Sequence, residues 1–374
     1  MATSAAGCGI DRSGRRGNGA GRLTPCEAGL RWPAEWEPHA ATWLSWPHNR
    51  ETWPGRLAAA EASFVAMVAA LHGRERVCIN ARDAAHAEHI AGQLRAAGVE
   101  RGCEIHPVPT DDAWVRDHGP IFLVGASGPA LVDFRFDAWG GKYPPWDQDD
   151  AVPGRIAALR GAQRFQADFV LEGGSVDGNG EGTALTTEAC LLSGNRLRPG
   201  EAPRSREEME RRLHAWLGIE RVLWLGEGIV GDDTDGHVDD IARFVAPRTL
   251  VVAQEPDSAD PNHGPLAANL ARLRGQHDAR GQRLEVVTLP MPRAVVVDGA
   301  RCPASYANFY LANGVALVPV FSRPEDAVAL SILRELLPGR EIVPIPARDL
   351  IQGLGAVHCL TQQEPALVPE PQSS

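Results

Sequence analysis

The chain has 374 residues, 44% hydrophobic and 23% charged, so it holds enough apolar material for a sizeable core and is not disordered throughout. Its formal net charge of −11 disfavours nucleic acid and anionic membrane as partners and mildly favours cationic ligands. No stretch approaches the ~20 consecutive apolar residues of a membrane span.

Residues 1–30 are rich in Gly, Ala, Ser and Arg and lack the apolar run of a signal peptide. We expect a disordered tail there, or extra residues from an upstream start codon. From residue 31 short β-rich runs alternate with helical stretches. Residues 41–46 read as a strand, 56–72 as an Ala-rich helix with apolar spacing of three and four, and 77–80 as a strand. Residues 206–217 form a charged helix after a polar loop. Two later stretches share one layout. In the first, a hairpin over 241–253 precedes a helix near 265–275 and a strand over 284–290. In the second, a hairpin over 306–320 turns at Asn313-Gly314, a strong hairpin signal, and precedes a helix over 324–337 and a strand over 342–346. Such self-similarity at about 50 residues suits modules stacked around an axis in a propeller-like α/β fold. It suits equally an ordinary α/β sandwich that repeats its rhythm, and the pattern does not choose between them. No linker divides the body, so one domain over 31–363 is expected, followed by a flexible, proline-bearing tail over 364–374.

The seven cysteines, Cys8, Cys26, Cys78, Cys103, Cys190, Cys302 and Cys359, are odd in number and widely spaced. They suit reduced thiols of the cytoplasm better than a disulfide framework, and none has zinc-site spacing. Cys78 and Cys190 lie in apolar runs and read as small core residues. Cys359 differs. It follows Gly353-Leu354-Gly355-Ala356-Val357-His358, where two glycines allow close backbone approach.

Three acid-bearing segments accompany it. His237 and Asp239 lie two apart at the start of what reads as a strand over 238–245, which would point both side chains to one face. Asp232, Asp233 and Asp235 could add negative charge. An Asp-rich loop with a histidine also suits a divalent metal, although the spacing matches neither an EF-hand loop nor a His-Glu-x-x-His helix. Glu172 ends an apolar run and is followed by Gly173-Gly174, which leaves backbone open to a ligand. Trp114 and Asp117 lie three apart, so a turn or short helical bend would put a flat aromatic face and a carboxylate on one side. Arg116 beside Asp117 reads as a surface pair. Adjacent side chains of an extended chain diverge, so His358 reads as structural and His237 as the proton carrier for Cys359. No Gly-x-Ser-x-Gly elbow or phosphate-binding loop competes. One thiol, one histidine and three carboxylates together suit attack on the central carbon of a planar cation, a guanidinium.

The segments Trp32-Pro33-Ala34-Glu35-Trp36-Glu37-Pro38-His39, Trp114-Val115-Arg116-Asp117, Leu171-Glu172-Gly173-Gly174-Ser175, Asp233-Thr234-Asp235-Gly236-His237-Val238-Asp239, Ser305-Tyr306-Ala307-Asn308-Phe309 and His358-Cys359-Leu360-Thr361-Gln362-Gln363 together resemble the agmatine deiminase family. That family lies in the guanidino-group-modifying superfamily, close to the bacterial peptidylarginine deiminases. The resemblance covers nearly the whole body and implies a five-bladed α/β propeller with its site on the central axis. It implies Cys359 as nucleophile, His237 as general acid and base, Asp117 and Asp239 as guanidinium clamps, Glu172 as a third acid and Trp114 as a wall along the substrate. The implied reaction is hydrolysis of agmatine, with arginine or peptidyl-arginine as the rival substrate, amidino transfer as a rival reaction and a non-catalytic guanidine-binding protein as a further alternative. It needs neither metal nor organic cofactor. A homodimer is the family expectation. Leu354 and Ala356 depart from the more glycine-rich family loop before the His-Cys pair.

Overall fold

A computed structural model describes residues 23–126, 128–198 and 200–367. The chain forms a mixed α/β fold of several small sheets, five of which share one plan. In each, a strand pairs antiparallel with the next, which then crosses through a helix to a parallel third strand. Ile121–Leu123, Ala130–Arg135 and Gln163–Val170 form one such unit, with the helix Val152–Arg160 in its crossover. Val176–Gly178, Thr183–Thr187 and Arg221–Leu225 form the next, around Arg206–Leu217. Ala242–Ala246, Thr249–Gln254 and Glu285–Pro290 follow, around His263–Leu273. Tyr310–Ala312, Val315–Val320 and Glu341–Pro346 come last, around Glu325–Leu336.

The remaining unit joins the two ends of the described chain. Gln362–Pro365 lies antiparallel to His39–Ser45, which runs parallel to Arg76–Asn80, itself parallel to Cys103–His106. The C-terminal strand thus supplies the position that a local strand fills in the other four. It runs two residues past the boundary expected at 363, because Glu364 and Pro365 have partners in Ala41 and His39. The expected N-terminal tail also needs correction where it can be seen. Thr24 to Gly29 form a turn, Cys26 N–H donates to Ala215 O at 3.2 Å, and Leu30 is buried. Residues 1–22 and 368–374 lie outside the described residues.

Helix boundaries follow local chemistry. Asp83 accepts from His86 N–H at 2.8 Å to start Ala84–Ala97, and Gly98, at φ +68°, ends it in the left-handed conformation. Ser205 and Gly218 bracket Arg206–Leu217 in the same way. The helix Leu57–Leu71 buries Ala60, Phe64, Met67, Val68 and Leu71, the three-and-four spacing read from the sequence. These pack with Leu317 and Ile345 of another unit. No helix among the described residues is long and apolar enough to cross a membrane.

Candidate active site

The first strand of every unit is preceded by a tight turn, and those turns deliver the chemistry. Asp117 lies in the short helix Val115–His118 ahead of Ile121–Leu123. Glu172 lies ahead of Val176–Gly178, and His237 and Asp239 ahead of Ala242–Ala246. Asn308 precedes Tyr310–Ala312, and Cys359 precedes Gln362–Pro365. Segments far apart in sequence therefore end at one place.

Trp114, Asp117 and Cys359 line one cavity of about 690 Å³. Glu172, His237 and Asp239 are buried, and His237 and Asp239 stand against these lining groups. His237 Nδ1 is 3.7 Å from Asp117 Oδ1, and Cys359 Sγ is 3.7 Å from Asp239 Oδ2. Gly174 explains how closely they approach. A Cβ there would lie 2.7 Å from His237 Nδ1, 2.8 Å from Asp117 Oδ1 and 3.0 Å from Asp239 Oδ2. Its N–H also donates to Asp117 Oδ1 at 2.9 Å. Gly355 has a similar reason: a Cβ would fall 2.3 Å from the Trp114 ring. Trp114 packs against Trp53 and Trp139, with ring centroids 5.5 and 6.5 Å away. Trp139 adopts φ +56°, a costly conformation for an indole-bearing residue, and donates Nε1–H to Asp117 Oδ2 at 3.1 Å.

The expected strand over 238–245 is the main correction. Val238–Asp240 is a 3₁₀ turn, and the strand begins at Ala242. His237 and Asp239 still converge, but through the turn around Gly174 and not through strand alternation. The acids upstream of His237 are engaged by neighbouring groups of the loop and the cavity wall. Asp232 accepts from Thr234 N–H and Gly236 N–H, both at 2.8 Å, Asp233 pairs with Tyr143 OH, and Asp235 pairs with Lys142 and Arg196. They shape the loop and join it to the wall at 142–143.

Arg116 is not a surface pair. It is buried and donates to Gln362 and Gln363 at 2.9 Å each, with Glu35 at 3.3 Å. His358 is fully hydrogen bonded, with Nδ1 2.7 Å from Asp239 Oδ2 and Nε2 2.8 Å from Glu35 Oε2, in keeping with a structural histidine. Glu35 also pairs with Arg243 at 2.8 Å and accepts from Leu311 N–H at 2.8 Å. Four residues of this site had no role assigned from the sequence. Asn308 donates to Cys359 Sγ at 3.1 Å and accepts from His358 N–H at 2.9 Å. Arg196 pairs with Glu172 Oε1 at 2.9 Å, and Glu35 and Trp139 complete the set. Asn308 and Glu35 stand inside motifs quoted above, which was their available signal. Arg196 and Trp139 had none.

The electrostatics follow from burial. Desolvation pushes the Asp117 carboxyl up to about 6, with Asp239 and Glu172 adding to it and His237 opposing. Desolvation would also raise Glu172 and Asp239. Arg196 and His237 together offset it at Glu172, and His358, His237 and Arg243 together offset it at Asp239, so both carboxyls are lowered from their ordinary values. His237 is held well above the ordinary imidazole range, because Asp117, Cys190 and Glu172 overcome its burial. Burial drives the Cys359 thiol well up, and Asp239, Asp240 and Asp117 drive it further. With no added positive charge the thiol stays protonated and weakly nucleophilic.

Two side-chain groups among the described residues have metal-ligand proximity, Cys78 with Glu104 and His106, and Glu172 with Cys190 and His237. Each already holds a guanidinium: Arg160 donates to Cys78 Sγ at 2.7 Å, and Arg196 pairs with Glu172.

A planar cation pairing with Asp117 in this cavity would bring its carbon toward Cys359, with His237 Nδ1 3.7 Å from the acid that holds it. The chain is similar to several known proteins. The model of the Porphyromonas-type peptidyl-arginine deiminase family matches residues 31–365. The agmatine deiminase of Pseudomonas aeruginosa (strain LESB58) is 38% identical over 367 residues, covering 92% of this chain and 97% of the relative. That of Stutzerimonas stutzeri (strain A1501) is also 38% identical over 367 residues, with the same coverage of 92% and 97%. The solved agmatine deiminase of Enterococcus faecalis superposes with a TM-score of 0.84 at 33% identity, over 93% of this chain and 99% of that one.

Proposed function

The chain belongs to the Porphyromonas-type peptidyl-arginine deiminase family, and from that premise we propose that it is a C–N hydrolase converting agmatine and water to N-carbamoylputrescine and ammonia through a covalent Cys359 intermediate. The observation that supports this most is the cavity shared by Cys359, Asp117 and Trp114. The cavity wall also favours a cationic tail. Glu51, Asp111, Asp112, Asp117 and Asp233 line it against three basic residues (Arg50, Arg82 and Lys142), while burial holds the lining Asp149 carboxyl well above its ordinary range and out of that count. Lys142 pairs with Asp235, which offsets it further.

In this reading Asp117 and Asp239 hold the N–H edges of the guanidinium by charge-assisted bonds, and Trp114 flanks the alkyl chain. The bound cation lowers the cost of the Cys359 thiolate, so substrate binding itself activates the nucleophile. Sγ attacks the guanidinium carbon. Binding of the cation releases the thiol proton to solvent; the C–N bond to one terminal nitrogen breaks as charged His237 gives its own proton to the departing ammonia and is left neutral. Glu172 keeps His237 charged for that step. Water then attacks the S-linked amidinium with His237 as base. The C–S bond breaks, the thiol is restored, and the ammonia takes up the released proton as ammonium. Neither metal nor organic cofactor enters this sequence.

The same reading takes the five units as blades of a propeller, with their first strands around a central axis and the site at its end. It also takes residues 31–363 as one catalytic domain, with the strand to Pro365 completing it, and proposes a cytoplasmic homodimer whose partner is the small guanidino substrate. A panel assay for ammonia and ureido product tests it, using agmatine, arginine and a peptide ending in arginine. Fastest turnover of agmatine is expected. Preference for either arginine substrate would transfer the tail assignment to a carboxylate-binding group, and a new guanidino compound formed with an added amine would indicate amidino transfer.

A further inference from the structure

His237 is buried, yet neither of its ring nitrogens has a hydrogen-bond partner, and Oε2 of the neighbouring Glu172 has none either. A proton carrier left so loosely held would not keep its ring aimed. One further group stands beside it. Cys190, read from the sequence as a small core residue, offers Sγ within 4.8 Å of both a ring nitrogen of His237 and a carboxylate oxygen of Glu172, and all three residues are buried.

The backbone fixes this juxtaposition. Thr187 Oγ1 donates to Gly236 O at 2.6 Å and accepts from Cys190 N–H at 3.2 Å. One hydroxyl therefore ties the turn that carries Cys190 to the residue before His237. Gly236 takes φ +95°, and the Ala189 Cβ lies 3.4 Å from where a side chain on Gly236 would begin. The helical turn Glu188–Leu191 is thus packed directly onto the 236–237 backbone. A divalent cation is a poor occupant of this cluster, since Arg196 already pairs with Glu172 and its charge also acts on Cys190.

We propose that Cys190 is a positioning residue for His237: its sulfur is the soft acceptor that, with the open oxygen of Glu172, steadies the charged imidazole between proton transfers. Sulfur suits the task because it accepts weakly. The influence of Cys190 on His237 ranks next after that of Asp117 among the neighbours that favour its charged form.

This rests on His237 being the proton carrier, so the test separates the two claims. Ammonia release from agmatine is measured against pH for the full-length chain and its Cys190→Ala, Cys190→Ser and His237→Ala variants. The alanine variant should lose roughly tenfold in kcat with KM changed less than about twofold. The basic limb of its kcat profile should move to lower pH, because a less supported imidazole loses its proton sooner. Cys190→Ser, which keeps an acceptor, should recover much of both. Should Cys190→Ala not fold, Cys190→Val, close in volume and without an acceptor, takes its place. A wild-type kcat and limb in the alanine or valine variant would overturn the proposal. So would equal losses in the alanine and serine variants with the limb unmoved, which would mean packing alone. Retained turnover in His237→Ala would instead refute the proton-carrier assignment beneath it.

Discussion

Asp117 is where sequence, geometry and titration meet. Its carboxyl is raised to about 6 by burial first and by Asp239 and Glu172 next. Only the ionised form attracts a guanidinium. As pH falls below about 6 the group becomes neutral, and kcat/KM should drop about tenfold per pH unit, since this profile reports the free enzyme. A flat kcat/KM through that range would remove Asp117 from substrate binding. Asp117→Asn should abolish the limb and cost binding and turnover together. Gly174→Ala is a sharper probe of assembly. Its methyl would lie within 3.0 Å of atoms of His237, Asp117 and Asp239. Overpacking there should destabilise by about 1–3 kcal/mol and suppress turnover, whereas a fully active Gly174→Ala enzyme would mean the three groups need not converge. Much of this grouping was legible in the sequence: Cys359, His237, Asp117, Glu172 and Asp239 sit in compact motifs. Arg196 and Trp139 were not, since an isolated Arg in a loop and a Trp after Asp137-Ala138 carry no mark of the carboxylates they meet across the fold.

At the scale of elements, the turns before the first strands matter more than the strands. The reading of 238–245 as a strand failed over its first residues, because hydrophobic periodicity does not separate a short 3₁₀ turn such as Val238–Asp240 from a strand start. The Asn313-Gly314 hairpin and the helix Leu57–Leu71 were legible because each depends on local chemistry alone. The turns are held to one another by Glu35, whose carboxylate meets Arg116, Arg243, His358 and Leu311 N–H. Glu35→Ala would leave the buried Arg116 guanidinium without an acidic partner, while Arg243 keeps its pair with Asp177. It should cost about 3–5 kcal/mol in denaturant unfolding, and a loss below about 1 kcal/mol would show that these turns are fixed by their own packing.

At the scale of the molecule, two of the five units were visible in advance, those with hairpins at 241–253 and 306–320. Of the unit that joins the chain ends, the strand, helix and strand over 41–80 were read, but not its closure, because pairing between His39–Ser45 and Gln362–Pro365 spans nearly the whole sequence. That pairing places Cys359 directly before the closing strand, so nucleophile position and chain closure are one structural event. Removing residues 362–374 should therefore lower the melting temperature and abolish activity together. An active, stable truncated chain would separate the two. The claim on which everything else rests is that sulfur bonds to the substrate carbon. Intact mass spectrometry of acid-quenched enzyme, with peptide mapping, tests it most directly. Turnover of agmatine should leave the carbon skeleton of the substrate, less one ammonia, on Cys359 and on no other cysteine. Steady ammonia release from a Cys359→Ala enzyme, or from wild type with Cys359 never modified, would contradict it.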